Sequence, residues 1–228
     1  MKKTLILCAA IVIAGAMLPL SVARYKAFDR TVDVKGLCER EVKADRVIWP
    51  LSYKIAGDDL ATVIRQAEDA NGKIVDFLVK GGIPREEINV AAPSISDKYA
   101  SEYGDNNRKF RYLLSNTVTV CSAEIDAVLS LQARQSELMK SGIVLIGDNW
   151  ESKTSFSFEA LNDIKPQMIQ EATANALEAA KKFAQDSGSR VGRIKNASQG
   201  TFSISDRDSN TPYIKKIRVV TNVTYYID

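Results

Sequence analysis

The chain has 228 residues, of which 45% are hydrophobic and 26% are charged, so it can fold into one large or two small domains with a real core. It contains no histidine, which removes the commonest general base and the commonest metal ligand and excludes most hydrolase and metalloenzyme classes. The net charge is +3, of which Lys2 and Lys3 contribute two, and this near balance argues against a nucleic-acid partner.

The first 23 residues have the features of an export leader. Met1–Lys3 is a short basic region, Leu5–Leu20 is largely apolar, and Ser21–Ala23 offers the small residues of a cleavage site. The segment Thr4–Ala23 also contains no charge over about the length that crosses a bilayer, so an uncleaved anchor is the alternative. We therefore expect a signal peptide or a membrane anchor at residues 1–23.

Both alternatives place the rest of the chain in the periplasm or cell envelope, either released by cleavage near Ala23 or tethered to the inner membrane. A polar connector, residues 24–30, leads to a domain at 31–228, and membrane contact is expected only through the leader. Disulfides persist in that compartment, and the domain contains Cys38 and Cys121. We favour two unpaired thiols, because a domain with a core of this size needs no disulfide; a single bridge is the alternative.

The domain opens with two predicted strands. Thr31–Lys35 is typical of a short strand, and Gly36 permits a turn or bulge after it. From Val47 to Ile55 the odd positions are apolar, which is the period of a half-buried strand. Pro50 cannot donate to a strand ladder, so this strand is expected to be an edge or to be bulged there.

A helix is predicted next, with Asp58 as its N-cap and Gly81-Gly82 as its end. Its apolar residues at helical spacing are Leu60, Val63, Ile64, Ala67, Ile74 and Phe77. A short strand follows at Ile88–Val90, and a longer one at 110–120 has its apolar side chains at even positions.

A second helix is predicted after Ser122, which can cap it, and Gly142 closes it. The apolar run Ile143–Ile146 is consistent with a buried strand, and apolar residues alternate again at 154–158. The longest helix is predicted at Pro166–Ser187. Its predicted inner face consists of Ile169, Ala172, Ala176, Ala180 and Phe183.

Two closing strands are predicted at Val191–Ser205 and Tyr213–Ile227. The order β-β-α-β-β-α-β-α-β-β predicts an α+β fold, in which three helices pack on a largely antiparallel sheet.

The run from Glu39 to Arg46 is densely charged and could form an acid-base cluster. Opposite charges two residues apart on a strand more often form a solvated face or an interface ladder, which is the interpretation that we favour. Asp206 and Asp208 could belong to a weak calcium loop, but Arg207 lies between them and a turn is favoured. We identify no catalytic, cofactor-binding or metal-ligating residues in the sequence.

Three blocks of sequence resemble the SIMPL-domain family of exported bacterial envelope proteins. Val32–Leu51 reads VDVKGLCEREVKADRVIWPL, and it is similar to a GLxEREVKADxxIWP motif of one subgroup. The segments Leu161–Gly192 and Asn196–Ile204 are similar to the same subgroup. The resemblance implies a sheet-and-helix domain, export, and ring-like oligomers in some members. Some members are described as oxidative-stress defence or periplasmic immunogenic proteins, which implies a stress-related role.

The leading hypothesis is a non-enzymatic envelope protein that forms a homo-oligomer or binds an envelope protein partner. The candidate interface is the family motif, with Gly36, Glu39, Arg40, Glu41, Asp45, Trp49 and Pro50. The alternative is a binding module for a small molecule or envelope component, with a pocket between the long helix and the sheet. An enzyme that uses carboxylate or lysine chemistry is the third hypothesis.

Overall fold

The computed structural model describes Gly15 and residues 30–100, 109–147 and 152–228. The predicted leader lies outside the described residues apart from Gly15, and the connector does so apart from Arg30. Among the helices that are described, none combines the length and the apolar character that a membrane span requires.

The described residues form nine strands, four α-helices and one short 3₁₀ turn. In chain order they are β1 Thr31–Lys43, β2 Arg46–Gly57, α1 Leu60–Lys80, the 3₁₀ turn Arg85–Glu87, β3 Ile88–Val90, β4 Ser94–Asp97, β5 Tyr112–Ser122, α2 Ile125–Ala133, α3 Ser136–Lys140, β6 Ser155–Ser157, α4 Leu161–Asp186, β7 Val191–Gln199, β8 Ser203–Asp206 and β9 Ile214–Ile227. The predicted α+β class is confirmed, with antiparallel sheets on which the helices pack. The strands divide into two sheets, one with the order β1-β9-β7, in which β8 also pairs with β9, and one with the order β3-β5-β2-β6, in which β4 also pairs with β5.

The chain separates into two compact units. Of the residues that the structure describes, the first unit comprises those up to Arg40, Asn162–Ile204 and Lys216–Asp228, and the second comprises those from Glu41 to Leu161 and Ser205–Lys215. The first unit therefore contains β7, nearly all of α4 and most of β1 and β9. The second contains the five-stranded sheet and helices α1 to α3.

In the first unit, α4 packs closely against β1 at Gly36. A Cβ atom on Gly36 would lie 1.8 Å from the backbone oxygen of Ala172 and 2.7 Å from the backbone nitrogen of Ala176. The prediction of a turn or bulge at Gly36 is wrong, because β1 runs through it without interruption. Glycine is present here since any side chain would separate the strand from the helix.

The helix α4 begins at Leu161, so the predicted start at Pro166 is wrong and the proline lies inside the helix. Its buried residues recur at every fourth position: Met168, Ala172, Ala176, Ala180 and Ala184. The three central alanines were predicted correctly, but Phe183 is 62% exposed. Residues four positions apart do not align exactly with the helix axis, so the buried row winds slowly around α4. Near the C-terminus the row passes through Ala184 and leaves Phe183 on the exposed side.

In the second unit, β2 and β5 form a continuous antiparallel ladder from Val47 opposite Ser122 to Gly57 opposite Tyr112. The odd residues of β2 point into the core, as predicted, and Val47, Trp49, Leu51 and Tyr53 are each at most 3% exposed. They pack against a face of α1 formed by Val63, Ala67, Ala70, Ile74 and Leu78. The predicted face also included Leu60 and Ile64, which are 39% and 38% exposed.

Helix α1 has a side-chain cap at its N-terminus and a glycine at its C-terminus. Asp59, and not Asp58 as predicted, is the N-cap, because its carboxylate accepts a hydrogen bond from the backbone N–H of Thr62. Asp58 instead accepts from the backbone N–H of Arg111 at 2.9 Å. The helix ends as predicted, with Gly81 as the C-cap and Gly82 at a φ of 94°.

Two further predictions need correction. The helix after Ser122 is divided into α2 and α3, and the Ser122 hydroxyl accepts from the N–H of Glu124. The run Ile143–Ile146 is not a buried strand, since it makes one isolated bridge from Leu145 to Tyr53 and Val144 is 77% exposed.

We predict that thickening the contact between β1 and α4 destabilises the fold. Gly36→Ala and Ala176→Phe should each lower the melting temperature, with a loss of about 1–3 kcal/mol or more, because neither backbone can move away without opening the first unit. Gly72→Ala is the control, since a Cβ there meets nothing within 4 Å. Melting curves of Gly36→Ala and Ala176→Phe that overlay the wild type would contradict this packing.

Candidate functional site

The charged segment Glu39–Arg46 forms ion pairs within each unit. In the first unit the Glu39 carboxylate lies 2.9 Å from the Lys216 ammonium and 3.6 Å from the Arg218 guanidinium. Arg40 donates to Glu171 at 3.1 Å and to the side-chain oxygen of Gln167 at 3.2 Å, both on α4. These two side chains therefore join β1 to β9 on one face and to α4 on the other.

In the second unit the remaining charges are also engaged. Glu41 lies 3.5 Å from Arg207, and Lys43 pairs with Asp126. Arg46 lies 2.9 Å from the carboxylate of Glu159. The interpretation as a solvated charged face is consistent with this pattern, because Glu41, Lys43 and Arg46 each lie beside an opposite charge and all three partners are substantially exposed to solvent.

Asp45 has a different role from its charged neighbours. Its carboxylate accepts hydrogen bonds from the backbone N–H groups of Glu159 and Ala160 at 2.8–3.0 Å. The side chain thereby fixes the turn that precedes α4. Together with buried Trp49 and with Gly36, it shows that several residues of the motif serve the architecture. Whether the motif is also an interface stays a prediction.

On the side of β2 that faces away from β5, no described residue pairs with the strand at Pro50. Strand β6 pairs only with Arg46–Ile48, and further along the edge Ile146 donates its N–H to the carbonyl of Ser52 at 2.7 Å. The ladder with β5 continues without a bulge, with Pro50 opposite Thr119. The predicted bulge is therefore wrong, and β2 is not an edge strand of its sheet, since it lies between β5 and β6; only locally, at Pro50, is it unpaired on this side among the described residues. Backbone groups of alternate residues point to the same side of a strand, so the N–H that Pro50 lacks would have faced this gap.

A cavity of about 410 Å³ lies at this gap, in the second unit. Its walls come from Trp49–Ser52 of β2, from α2, and from the segments 145–147, 152–156 and 209–213. We call it the Pro50 cavity. It is one of two cavities described in the second unit. No residue of α4 is among the described lining of either, so the predicted pocket between the long helix and the sheet is not one of them. The described lining residues come from five separate segments of the chain, so no local pattern in the sequence could have indicated the cavity.

The outer face of the second sheet carries almost no charge. The odd residues of β2 and the even residues of β5 are buried. The even residues of β2, the odd residues of β5 and the residues that pair with them on neighbouring strands therefore form this outer surface. We call it the neutral sheet face, and its residues are Ile48, Pro50, Ser52, Asn89, Ser94, Ser115, Thr117, Thr119, Cys121 and Ser155. All of them are exposed or half-buried. Arg46 and Lys54 lie at its two ends on β2.

The two cysteines among the described residues, Cys38 and Cys121, are both free thiols. Cys38 is buried beneath α4, and this burial raises the pKa of its thiol. Cys121 lies exposed on the neutral sheet face, 3.7 Å from the Arg46 guanidinium. The structure thus agrees with the favoured prediction of two unpaired thiols.

The segment 207–211 is a turn, as predicted, while Asp206 is the last residue of β8. The Asp208 carboxylate accepts from the backbone N–H groups of Asn210 and Thr211 and from the side chains of Thr211 and Arg207. These bonds, led by that of the Thr211 hydroxyl, hold the pKa of Asp208 well below its usual range. Across the described parts of the chain, no three acidic or cysteine side chains are grouped so that they could hold a metal ion.

Comparison with known proteins gives one informative match. The family model described as "SIMPL, protein of unknown function (DUF541)" matches residues 32–225. A search of curated proteins found no match to the chain. The family match covers both units and each of the three sequence blocks considered above.

We predict that the charged pairs of the first unit contribute little to stability. Replacing Glu39 and Arg40 together by alanine should leave the protein folded and lower its free energy of unfolding by about 2 kcal/mol or less, since half-exposed ion pairs contribute roughly 0–1 kcal/mol each. Urea unfolding followed by circular dichroism measures this change. Loss of the folded state would mean that these charges are far more important than their exposure indicates.

The pair between Arg40 and Glu171 also predicts a pH dependence. The hydrogen bond from Arg40 holds the pKa of the Glu171 carboxyl below its ordinary value of 4.5. A depressed pKa contributes stability above the unfolded-state value, and that stability is lost as the pH falls through the folded-state value. The gap in melting temperature between wild type and Arg40→Gln should therefore be present at neutral pH and narrow below pH 4.5.

The matched control for this experiment is Glu171→Gln, which removes the other partner. It should show the same gap at neutral pH and the same convergence in acid. A gap between wild type and Arg40→Gln that is constant from neutral to acidic pH would show that Arg40 acts through packing alone.

Proposed function

The chain belongs to the SIMPL family, and on this premise we propose that it is a non-enzymatic, exported cell-envelope protein that assembles with copies of itself. The assembly surface is the neutral sheet face of the second unit. The leader at residues 1–23 supplies export, and the stress-related role follows from family resemblance. The proposal rests on one observation: an accessible surface of the second sheet has almost no charged side chains.

The first sheet of the same protein provides the comparison. On its outer face, exposed or half-buried residues of β1 and β9 are charged, including Asp33, Lys35, Glu39, Lys216 and Arg218. A sheet face that contacts water usually carries such residues, because apolar and uncharged surfaces favour association. The neutral sheet face lacks them over the central positions of β2 and β5. This contrast between the two sheets supports the proposal that the neutral sheet face lacks charged residues because it associates with another surface.

The chemistry of the face also favours a second copy as the partner. A charged partner surface would lose its hydration here without gaining opposite charges, which is unfavourable. Hydroxyl groups can donate and accept, so two such faces complement each other; within one copy, Ser52 and Thr117 already bond across the strands at 2.9 Å. Two sheets packed face to face through short side chains are a common arrangement.

The strand edges are less suited to assembly than this face. Pro50 has no N–H to offer at the open edge of β2, and proline at an edge blocks further strand pairing. In the first sheet, β7 shows register shifts near Ile194, and β1 carries alternating charges. Both features are typical protections against edge-to-edge pairing. Association through a sheet face is therefore favoured over extension of a sheet.

We predict that one charge placed at the centre of the neutral sheet face disrupts assembly. In the protein lacking residues 1–23, Thr119→Arg should weaken self-association by about tenfold or more, because the new charge must be desolvated without a partner. Sedimentation velocity and light scattering at tens of micromolar measure the size distribution. Circular dichroism verifies that the variant is folded.

Asn222→Arg is the matched control. Asn222 is exposed on β9, opposite Ser198, on the outer face of the first sheet. The same type of change at this charged surface should leave the size distribution unaltered. A wild-type protein that is strictly monomeric at tens of micromolar would sink the proposal, and equal effects of Thr119→Arg and Asn222→Arg would assign assembly to another surface.

A further inference from the structure

We propose that one end of the first unit, the end at which the leader joins it, is a docking surface for an anionic phospholipid bilayer. We call this surface the basic end, and it consists of Arg30, residues 181–194 and Asp228. The sequence predicts membrane contact only through the leader, so this surface would be a second contact. The inference goes beyond self-assembly and rests on the proposed function in one respect, that the leader brings the domain to a membrane.

Backbone hydrogen bonds bring three chain segments together at the basic end. The N–H of Ile227, at the end of β9, donates to the carbonyl of Arg30, just before β1, at 3.0 Å. The backbone groups of Arg190 and Asp228 bond to each other in both directions, at 3.1 and 3.0 Å. Helix α4 ends just before Arg190, at Asp186. The residue through which the leader enters the domain therefore lies at the same end as the last turn of α4.

The described residues of the basic end have an excess of positive charge. Its acidic residues are Asp186 and Asp228. Its basic residues are more numerous, and all of them are exposed: Arg30, Lys181, Lys182, Arg190 and Arg193. No ion pair joins any of these basic residues to another described residue. Elsewhere in the first unit Arg40 and Lys216 each pair with a carboxylate. The near balance of charge over the whole chain thus hides a local surface that attracts anions.

The connector preserves this sign and limits the distance to the membrane. Residues 24–29 contain Arg24 and Lys26 against Asp29, so they add positive charge on balance. An extended chain spans at most about 3.5 Å per residue, so residues 24–30 keep the start of β1 within about 25 Å of the leader. When the leader spans a bilayer, the basic end is therefore within reach of the lipid headgroups.

Exposed apolar side chains favour a bilayer over a soluble anion as the partner. Phe183 is 62% exposed and directly follows Lys181 and Lys182, and Ile194 is 50% exposed and directly follows Arg193. The helix dipole accounts for lysines near the C-terminus of α4, but it does not account for an exposed aromatic ring beside them. At a membrane surface, basic residues contact anionic headgroups while neighbouring apolar side chains enter the boundary with the acyl chains.

The test compares the full chain, with its leader intact, on two membranes. The chain is synthesised from purified components in the presence of vesicles of phosphatidylcholine alone, or of an equimolar mixture of phosphatidylcholine and phosphatidylglycerol. Lysines are acetylated briefly with an uncharged ester and quantified by mass spectrometry. In the mixed vesicles the acetylation rates of Lys181 and Lys182 should fall about fivefold or more, because the headgroups cover them. High salt should restore the rates by screening the attraction. Lys80 and Lys140, which are exposed in the second unit, report any general change in reactivity.

Charge reversal locates the contact. Arg190→Glu combined with Arg193→Glu should raise the rates at Lys181 and Lys182 in the mixed vesicles to those in phosphatidylcholine. The matched control, Lys80→Glu combined with Lys140→Glu, makes the same change in net charge and should leave the two lysines protected. Circular dichroism verifies that both variants are folded. Equal rates at Lys181 and Lys182 in the two kinds of wild-type vesicle, or equal effects of the two charge reversals, would overturn the proposal.

The variant Thr119→Arg separates this inference from the proposed function. Its change lies in the second unit, so Lys181 and Lys182 should stay protected on mixed vesicles even where the variant fails to assemble. Loss of protection in Thr119→Arg would make membrane contact a consequence of assembly and would overturn the assignment to the basic end. Protection of the two lysines only after addition of a lipid-free envelope extract would also overturn it, in favour of an acidic protein partner.

Discussion

The architecture of the second unit depends on the uninterrupted ladder between β2 and β5. Eleven residue pairs follow one another without a bulge, so the two-residue period assigns every side chain to one of two faces. Trp49 and its alternate neighbours enter the core, and Pro50 and Ser52 face outward. A shift by one residue would exchange the faces and bury Lys54, so the register is strongly determined. The neutral sheet face and the Pro50 cavity both result from this register.

The first unit depends on a different constraint, the contact of Gly36 with α4. A helix with a stripe of alanines can approach a strand that has no side chain at the contact. The charges that follow Gly36 then bind neighbouring elements from both faces of β1. Glu39 contacts β9, Arg40 contacts α4, and Asp45 fixes the turn before that helix. The conspicuous charges of the family motif thus have identifiable structural partners, while the surface proposed for assembly contains few charges.

Local patterns in the sequence predicted much of this fold. The alternation in β2, the stop at Gly81-Gly82 and the alanine face of α4 all depend on neighbours in the chain, and each is present. Gly36 was misassigned because the atoms that exclude a side chain belong to Ala172 and Ala176, far away in sequence. Similarly, Asp58 and Asp59 are equivalent caps by sequence, and the distant N–H of Arg111 decides between them. The cavity could not be predicted, because tertiary structure alone brings Trp49, Phe156 and Tyr213 together.

Assembly through the neutral sheet face would cover Cys121, so the accessibility of this thiol tests the proposal directly. Its thiol is exposed on that face, whereas Cys38 is buried. The rate of maleimide alkylation at Cys121, measured by mass spectrometry of its peptide, should fall as the protein concentration rises through the range in which oligomers form. Alkylation at one constant rate in the dilute monomer and in the fully assembled protein would contradict the proposal.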